Sequence, residues 1–168
     1  MNPEAKPIRV AVLTVSDSAF RGAREDLSGP AAEAEIMRLG FQSVGVQLLP
    51  DEPDRIREKL IEITDELQPD ILLTTGGTGL GPRDHTPEAT ASVIQKEVPG
   101  LAELIRMEGR KSTPRAVLSR AMTGVRGRTL IVNLPGSVKG VQESIRAIEE
   151  LLPHAVELIR GDKVLCGG

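Results

Sequence analysis

Four short apolar segments constrain the fold of this chain more than any other feature of its sequence. They are nearly apolar on both faces, which is typical of parallel strands covered by helices on either side. The segments are residues 8–15, 43–49, 71–75 and 129–134. Helical segments separate them along the chain. The sequence therefore predicts an α/β fold, a three-layer sandwich with a mainly parallel sheet between two helical layers.

Proline and glycine residues indicate where the intervening helices begin and end. Pro30 and Pro87 suit first turns, where a missing N–H costs nothing, and Thr86 is the expected N-cap of the second of these helices. The pair Pro99–Gly100 is expected to end that helix, and Pro153 to kink or split the last one. The predicted helices cover 30–39, 53–67, 101–111 and 138–160, with one more between Pro87 and Pro99, and an extended segment is expected at 115–126.

The length of 168 residues fits one domain with a real hydrophobic core. We expect a flexible arm at 1–7, a single domain at 8–160 and a flexible tail at 161–168. Cys166, the only cysteine, falls in that tail, so it has no intramolecular disulfide partner. It is expected to be a bystander, because a nucleophilic thiol needs a rigidly held base. No apolar run reaches about 18 residues, and no signal peptide is evident, so a cytoplasmic protein without a membrane partner is predicted.

The charge and the aromatic content argue against nucleic-acid binding. The formal net charge is -3, so the chain has no global basic field to attract a polyanion. Phe20 and Phe41 are the only aromatic residues, whereas proteins that read single strands stack bases on aromatic side chains. We therefore expect no nucleic-acid partner.

Four loops hold most of the unusual residues, and each loop follows a predicted strand. In an open parallel sheet, the loops at the carboxyl ends of the strands meet at one edge, and ligands bind there. The loops cover residues 16–29, 50–53, 76–86 and 135–137. The sequence therefore predicts a ligand site at this edge of the sheet.

The third of these loops is rich in glycine. It contains Gly76, Gly77, Gly79 and Gly81. Glycine lets the backbone approach a ligand closely, and consecutive N–H groups can then converge on an anion. The loop is not a P-loop, because it has no Lys-Ser or Lys-Thr pair, and GTGLG is one residue short of the dinucleotide fingerprint. Its composition favours another kind of nucleotide or anion site; the alternative is a plain tight turn.

Three of the four loops also carry carboxylates. Asp17 follows the first strand, with Asp26 further along the same loop. Asp51 follows the second strand, and Asp84 lies in the glycine-rich loop. Carboxylate oxygens beside a phosphate-binding loop are what Mg²⁺ needs when it helps to bind a triphosphate. The alternative is that each aspartate only caps a turn. Their convergence at one edge of the sheet favours the first interpretation.

Other polar residues in or near these loops allow two interpretations each. Four basic side chains either pair with a phosphate or are solvated surface charges. They are Arg83, Arg115, Arg120 and Lys139. His85 has no Cys or His neighbour in sequence and is expected to be a non-catalytic loop residue. Ser137 opens a helix after a Pro-Gly turn, where N-capping and an anion site are compatible.

Five motifs, taken in this order, resemble the MogA/MoaB family, and they are similar to the catalytic G domains of gephyrin-like proteins. The motifs are TVSDSAFRGAREDLSGP, LPDEP, TTGGTGLGPRDHTPEAT, TPRAVLSRAMTGVRG and LIVNLPGSVKGVQESI. The resemblance covers about residues 8–160. It implies a molybdopterin-binding-like α/β fold that is commonly assembled as a trimer or hexamer. One departure is His85, which stands where the family more often has a small aliphatic residue.

The resemblance also implies a reaction: transfer of AMP from Mg-ATP to the terminal phosphate of molybdopterin, with release of pyrophosphate. The product would be the substrate of a molybdate-inserting enzyme, which is therefore a candidate partner. ATP is expected as a substrate with Mg²⁺, and no tightly bound cofactor is expected. The alternative is a non-catalytic molybdopterin-binding or assembly protein of the MoaB branch.

The resemblance carries over to particular residues as well. Asp51 and Asp84 match the family's two functionally important aspartates, and we assign them to Mg²⁺ organisation or substrate positioning. The glycine-rich loop would hold phosphate through Thr75, Gly76, Gly77, Thr78 and Gly79. The residues that match positions lining the ligand pocket are Ser16, Asp17, Ser119, Asn133, Pro135, Gly136 and Ser137.

Overall fold

A computed structural model describes residues 6–161 as one six-stranded sheet with helices on both faces. Along the sheet the strands run in the order β2-β1-β3-β6-β5-β4. Their bounds are β1 Arg9–Val15, β2 Gln42–Leu49, β3 Ile71–Thr75, β4 Lys96–Glu97, β5 Thr123–Arg126 and β6 Thr129–Leu134. Residues 1–5 and 162–168, with Cys166 and most of the predicted arm and tail, lie outside the described residues.

The four strands predicted from sequence form the parallel half of the sheet. β1 pairs with β2 on one side and β3 on the other, and β3 pairs with β6. All residues of β3 and β6 are buried, as expected for strands covered on both faces. The predicted α/β class with a mainly parallel sheet is confirmed. The carboxyl ends of these four strands lie at one edge, which fixes where their loops meet.

Two antiparallel pairs, β6 with β5 and β5 with β4, continue the sheet beyond β6, and β5 corrects the prediction for 115–126. That segment is not extended throughout: Pro114–Leu118 is a 3₁₀ turn, and only Thr123–Arg126 forms a strand, in a hairpin with β6. The two-residue strand β4 was not predicted, because both of its residues are charged and exposed. Strand pairing, rather than an apolar pattern, therefore extends the sheet on this side.

The helices are α1 Asp17–Phe20, α2 Ser28–Arg38, α3 Pro53–Glu62, α4 Thr86–Ala91, α5 Pro99–Ser112, α6 Val138–Ile148 and α7 Leu152–Arg160. The split at Pro153 is confirmed, since α6 ends before it and α7 begins just ahead of it. The predicted helix at 53–67 extends to Leu67, with a π-helical turn at Ile63–Leu67 after α3. Another prediction was wrong: Pro99 opens α5 instead of ending α4, since a proline suits a first helical turn.

The predicted N-cap of α4 was also wrong. His85 occupies that position, and Thr86 is the first residue of the helix. The Thr86 hydroxyl is buried and has no hydrogen-bond partner within residues 6–161. This unpartnered group lies beside the glycine-rich loop.

Two aliphatic cores lie on opposite faces of the sheet. Alternate residues of β1 belong to different cores. Val10 and Val12 pack with α2, α5, α6 and α7, whereas Ala11 and Leu13 pack with α3 and α4. Among the described helices, none combines the length and apolar character that crossing a membrane requires. The two cores anchor the parallel strands, so the loops at their carboxyl ends start from fixed positions.

Candidate active site

The loops at the carboxyl ends of the four parallel strands enclose a cavity of about 370 Å³, which we call the strand-end cavity. All four loops that were predicted to converge contribute to its wall. Residues from these loops that line it include Ser16, Asp26, Ser28, Asp51, Gly76, Gly77, Asp84, Gly136 and Ser137. The four loops therefore meet as predicted, and Gly77, Asp51, Asp84 and Gly136 line the same cavity.

Close packing and positive φ explain the first two glycines of the loop. Gly76 and Gly77 have φ of +90° and +64°, a region that favours glycine. A Cβ at Gly76 would lie 2.3 Å from the carbonyl oxygen of Val15, and a Cβ at Gly77 would lie 2.3 Å from Thr86 Oγ1. Gly76 N–H also donates to Leu134 O at 3.1 Å. The loop is thus held between the ends of β1 and β6.

Asp17 and Asp51 exchange hydrogen bonds between two adjacent loops. Asp17 N–H donates to Asp51 Oδ2 at 2.7 Å, and Asp51 N–H donates to Asp17 Oδ1 at 3.1 Å. Arg83 donates to both carboxylate oxygens of Asp17, at 2.8 and 3.0 Å. These Arg83 hydrogen bonds hold the pKa of Asp17 below its usual value. Arg83 therefore links the glycine-rich loop to the loop after β1.

The surroundings of Asp51 disfavour its ionised form. Burial raises its pKa above the ordinary value, and the charges of Asp17 and Asp84 raise the pKa further, against the lowering effect of the Asp17 N–H. Asp84 turns its Oδ2 into its own loop, where it accepts from Gly81 N–H at 2.8 Å. A cation between Asp51 and Asp84 would offset this repulsion.

The donor set fits a metal ion that is bound together with a substrate. Within residues 6–161, no group of three or more His, Cys, Asp or Glu side chains is arranged to hold a metal by itself. Mg²⁺ often uses only one or two carboxylates and takes its remaining ligands from water and substrate phosphates. Asp51 and Asp84, which line the same cavity, meet that requirement.

A second cavity of about 430 Å³ lies between α5, α6 and the far side of the glycine-rich loop, and we call it the α5–α6 cavity. Ile105 and Leu118 give it apolar walls, and Leu80 adds to them from the loop. It takes in five of the predicted site residues: Thr78, Gly79, Ser119, Pro135 and Ser137. Ser137 lines both cavities, so the two are immediate neighbours.

Three predicted site residues line neither cavity. One is Asp17, whose carboxylate instead accepts from Asp51 N–H and from Arg83; the other two, Thr75 and Asn133, are buried. Thr75 is fully buried, and its hydroxyl pairs with that of Ser28 at 2.8 Å. Asn133 is also fully buried; its side-chain amide donates to Thr74 and Thr90, and its Oδ1 accepts from Met122 N–H. Both residues therefore lie behind the cavity walls and hold neighbouring segments in place.

Sequence reasoning missed several residues of the strand-end cavity. Thr14 lines it with a buried hydroxyl that has no hydrogen-bond partner in the described part of the chain. Its position within β1 gave no signal of this. Ser28 and Arg24 also line the cavity. Asp26, which was predicted with the other loop carboxylates to lie near the phosphate-binding loop, also lines the cavity. Its Oδ1 accepts from the N–H groups of Ser28 and Gly29, which is a capping role.

The basic candidates take different positions. Arg83 and Arg120 hydrogen-bond to protein groups around the glycine-rich loop. Arg115 lines the α5–α6 cavity. Lys139 lies 3.7 Å from Glu143 in an exposed i,i+4 pair. Ser137 caps α6 by accepting from Gly140 N–H, in agreement with the capping interpretation.

Comparison with known proteins agrees with this geometry. Residues 11–154 match the family described as probable molybdopterin binding domain. A molybdopterin adenylyltransferase of Helicobacter pylori is 43% identical over 157 residues, covering 92% of this chain and 89% of that protein. The molybdenum cofactor synthesis protein cinnamon of Drosophila melanogaster is 45% identical over 92% of this chain, which corresponds to 26% of its own length.

The fold agrees as well. The crystal structure of the molybdopterin biosynthesis enzyme MoaB from Thermus thermophilus superposes with a TM-score of 0.87 and 50% identity, over 92% of this chain and 98% of that one. The family match at residues 11–154 takes in all four strand-end loops and both cavities. The chain therefore belongs to the MogA/MoaB family of molybdopterin-binding domains.

Proposed function

We propose that the protein transfers AMP from ATP to the terminal phosphate of molybdopterin, with release of pyrophosphate. One observation carries the proposal: two adjacent cavities flank one glycine-rich loop, and Asp51 and Asp84 line one of them. A transferase must hold two substrates so that they meet, and this arrangement provides for both. The relative from Helicobacter pylori, which is named for the same activity, supports the proposal.

The proposed reaction needs no covalent intermediate on the protein. A phosphate oxygen of molybdopterin attacks the α-phosphorus of ATP, a new P–O bond forms, and the bond to pyrophosphate breaks. The main barrier is to bring two anions together in line, so positioning and charge stabilisation supply the catalysis. Backbone donors aimed at the phosphates serve this purpose.

The glycine-rich loop offers such donors. The N–H groups of Gly77, Thr78 and Gly79 donate to no protein acceptor within residues 6–161. Three consecutive N–H groups in a glycine-rich turn suit a phosphate. We therefore assign the loop to phosphate binding and the N-terminus of α6, beside Ser137, to the second anion.

We assign Asp51 and Asp84 to a Mg²⁺ ion that arrives with ATP. When bound, the ion would neutralise charge on the phosphates. Asp51 is fixed by its hydrogen bond with Asp17, and Asp84 by its hydrogen bond with Gly81. The two aspartates would thus orient the nucleotide relative to the glycine-rich loop.

We also propose a homo-oligomer, a trimer or a hexamer, that works in the cytoplasm and passes its product to a molybdate-inserting enzyme. Large exposed apolar side chains support an assembly, because Leu80 and Met107 are each 68% exposed and Leu118 is 55% exposed. Light scattering coupled to size-exclusion chromatography would distinguish a monomer from both assemblies.

The test of the reaction is turnover of fresh molybdopterin with ATP and Mg²⁺, followed as pyrophosphate release. We expect turnover by the wild type, and a loss of about 100-fold or more in Asp84→Ala. Asp65→Ala is the matched control, because Asp65 pairs with Arg126 at the opposite edge of the sheet. Molybdopterin binding without pyrophosphate release by the wild type would instead identify a non-catalytic binding or assembly protein.

A further inference from the structure

Arg120 connects the segment after the 3₁₀ turn to both sides of the glycine-rich loop. Its Nε donates to Gly79 O at 2.8 Å, and its Nη2 donates to Asp84 O at 2.7 Å. Its Nη1 pairs with the Glu88 carboxylate at the start of α4. The backbone N–H of Arg120 donates to Thr78 O at 2.9 Å. Arg120 thus contacts the loop at Thr78 and Gly79, contacts it again at Asp84, and also contacts the helix α4 that follows.

These contacts control the position of Asp84 in particular. The carbonyl of Asp84 accepts from Arg120, while its carboxylate closes back on Gly81 N–H. A planar guanidinium with several donors can satisfy acceptors in different directions, whereas a lysine ammonium is a point charge on a flexible chain. Removal of the guanidinium leaves two loop carbonyls without their donor and frees the loop tip between them.

The segment that carries Arg120 is held in place by α5 and by β6. Arg106 of α5 donates to the carbonyl of Ala121 at 2.9 Å and to that of Ser119 at 3.4 Å. Met122 exchanges two hydrogen bonds with Asn133 at the end of β6. The segment that carries Arg120 is therefore attached to both a helix and the central sheet, so the guanidinium has a rigid support.

We infer that Arg120 is a positioning residue, which holds the glycine-rich loop and Asp84 in the arrangement that the reaction needs without contacting substrate. The inference rests on the proposed function. This role replaces both interpretations of Arg120 from the sequence, which were a phosphate ligand and a solvated surface charge. The Arg120 side chain is only 34% exposed, and its guanidinium nitrogens donate to protein groups.

The test compares Arg120→Ala and Arg120→Lys with a matched control, Arg126→Ala. Arg126 also uses its guanidinium to bind a carbonyl, that of Val93, and a carboxylate, that of Asp65, but at the opposite edge of the sheet. Four quantities are measured: the free energy of unfolding, kcat, KM for ATP, and hydrogen exchange of the amides from Gly77 to Asp84.

We expect both Arg120 variants to lose about 100-fold in kcat, as misplacement of a reacting group by about 1 Å does, with a smaller change in KM. Exchange of the Gly81 amide should become faster, because its acceptor Asp84 is released. Arg126→Ala should lose comparable stability but keep kcat within about threefold. Guanidinium ion at millimolar concentration should restore part of the kcat of Arg120→Ala, since it supplies the missing donors.

Normal kcat in Arg120→Ala, or unchanged exchange across the loop, would overturn the inference. An equal loss of kcat in Arg126→Ala would also overturn it, because the effect would then follow from stability alone. If the wild type shows no turnover, the proposed function fails, but hydrogen exchange still decides whether Arg120 orders the loop. The two failures are therefore distinguishable.

Discussion

Gly77→Ala tests the geometry of the strand-end cavity most directly, because its cost has two separable parts. The first part is conformational: at φ +64°, a residue with a Cβ costs about 1–2 kcal/mol. The second part is steric. The new Cβ would lie 2.3 Å from Thr86 Oγ1 and 3.2 Å from Asp51 Oδ1, and such overpacking costs about 1–3 kcal/mol.

Gly127→Ala is the matched control. Gly127 has φ +57°, but a Cβ there would meet nothing within 4 Å, so only the conformational cost of about 1–2 kcal/mol applies. Urea denaturation of both variants should therefore show Gly77→Ala to be less stable than Gly127→Ala by about 1–3 kcal/mol. Displacement of Asp51 should also lower kcat about 100-fold in Gly77→Ala alone.

A double variant identifies the atom that is responsible. Thr86→Ala removes the closest contact, and the Thr86 hydroxyl has no hydrogen bond to lose within residues 6–161. Gly77→Ala combined with Thr86→Ala should therefore recover part of the lost stability, with an interaction energy of about 1 kcal/mol or more. Equal losses in Gly77→Ala and Gly127→Ala, or strict additivity in the double variant, would refute the reasoning.

Two further predictions concern titrating groups. Burial and the neighbouring carboxylates raise the pKa of Asp51, so its ionised form destabilises the fold at neutral pH. Asp51→Asn should therefore increase the free energy of unfolding at pH 7 and abolish turnover. The gain in stability should disappear towards about pH 4, as Asp51 becomes protonated in the folded and then in the unfolded protein. A less stable Asp51→Asn would contradict this. Burial raises the pKa of Asp70, but hydrogen bonds from Arg160 and from the Arg9 amide outweigh this effect and hold the pKa below its usual value. The Asp70–Arg160 pair therefore stabilises the fold above about pH 4, and this contribution is lost at lower pH. Asp70→Asn should therefore cost about 3 kcal/mol at neutral pH in urea denaturation and leave turnover intact, and unchanged stability would count against it.

The parallel half of the fold could be predicted because its signal is local. Strands such as β3 and β6 are apolar on both faces, and their predicted bounds agree with the structure. The antiparallel half depends on partners. β4 is a pair of exposed charged residues that becomes a strand only because β5 lies beside it.

The candidate site divides in the same way. Convergence of four loops follows from parallel topology alone, so Asp51, Asp84 and the glycine-rich loop could be placed together before any coordinates were known. Contacts between distant residues could not. Arg120 reaches Gly79 across 41 positions, and the sequence gives no sign that its donors point to backbone carbonyls rather than to solvent.

The shared wall at Ser137 has a consequence for inhibition. Since one residue lines both the strand-end cavity and the α5–α6 cavity, a short linker suffices to join a group that fills one with a group that fills the other. Once the first group is seated, the second is present at an effective concentration on the order of millimolar. Two weakly binding fragments, one for each cavity, should therefore give a tight inhibitor when they are joined, and the best linker would be just long enough to pass Ser137.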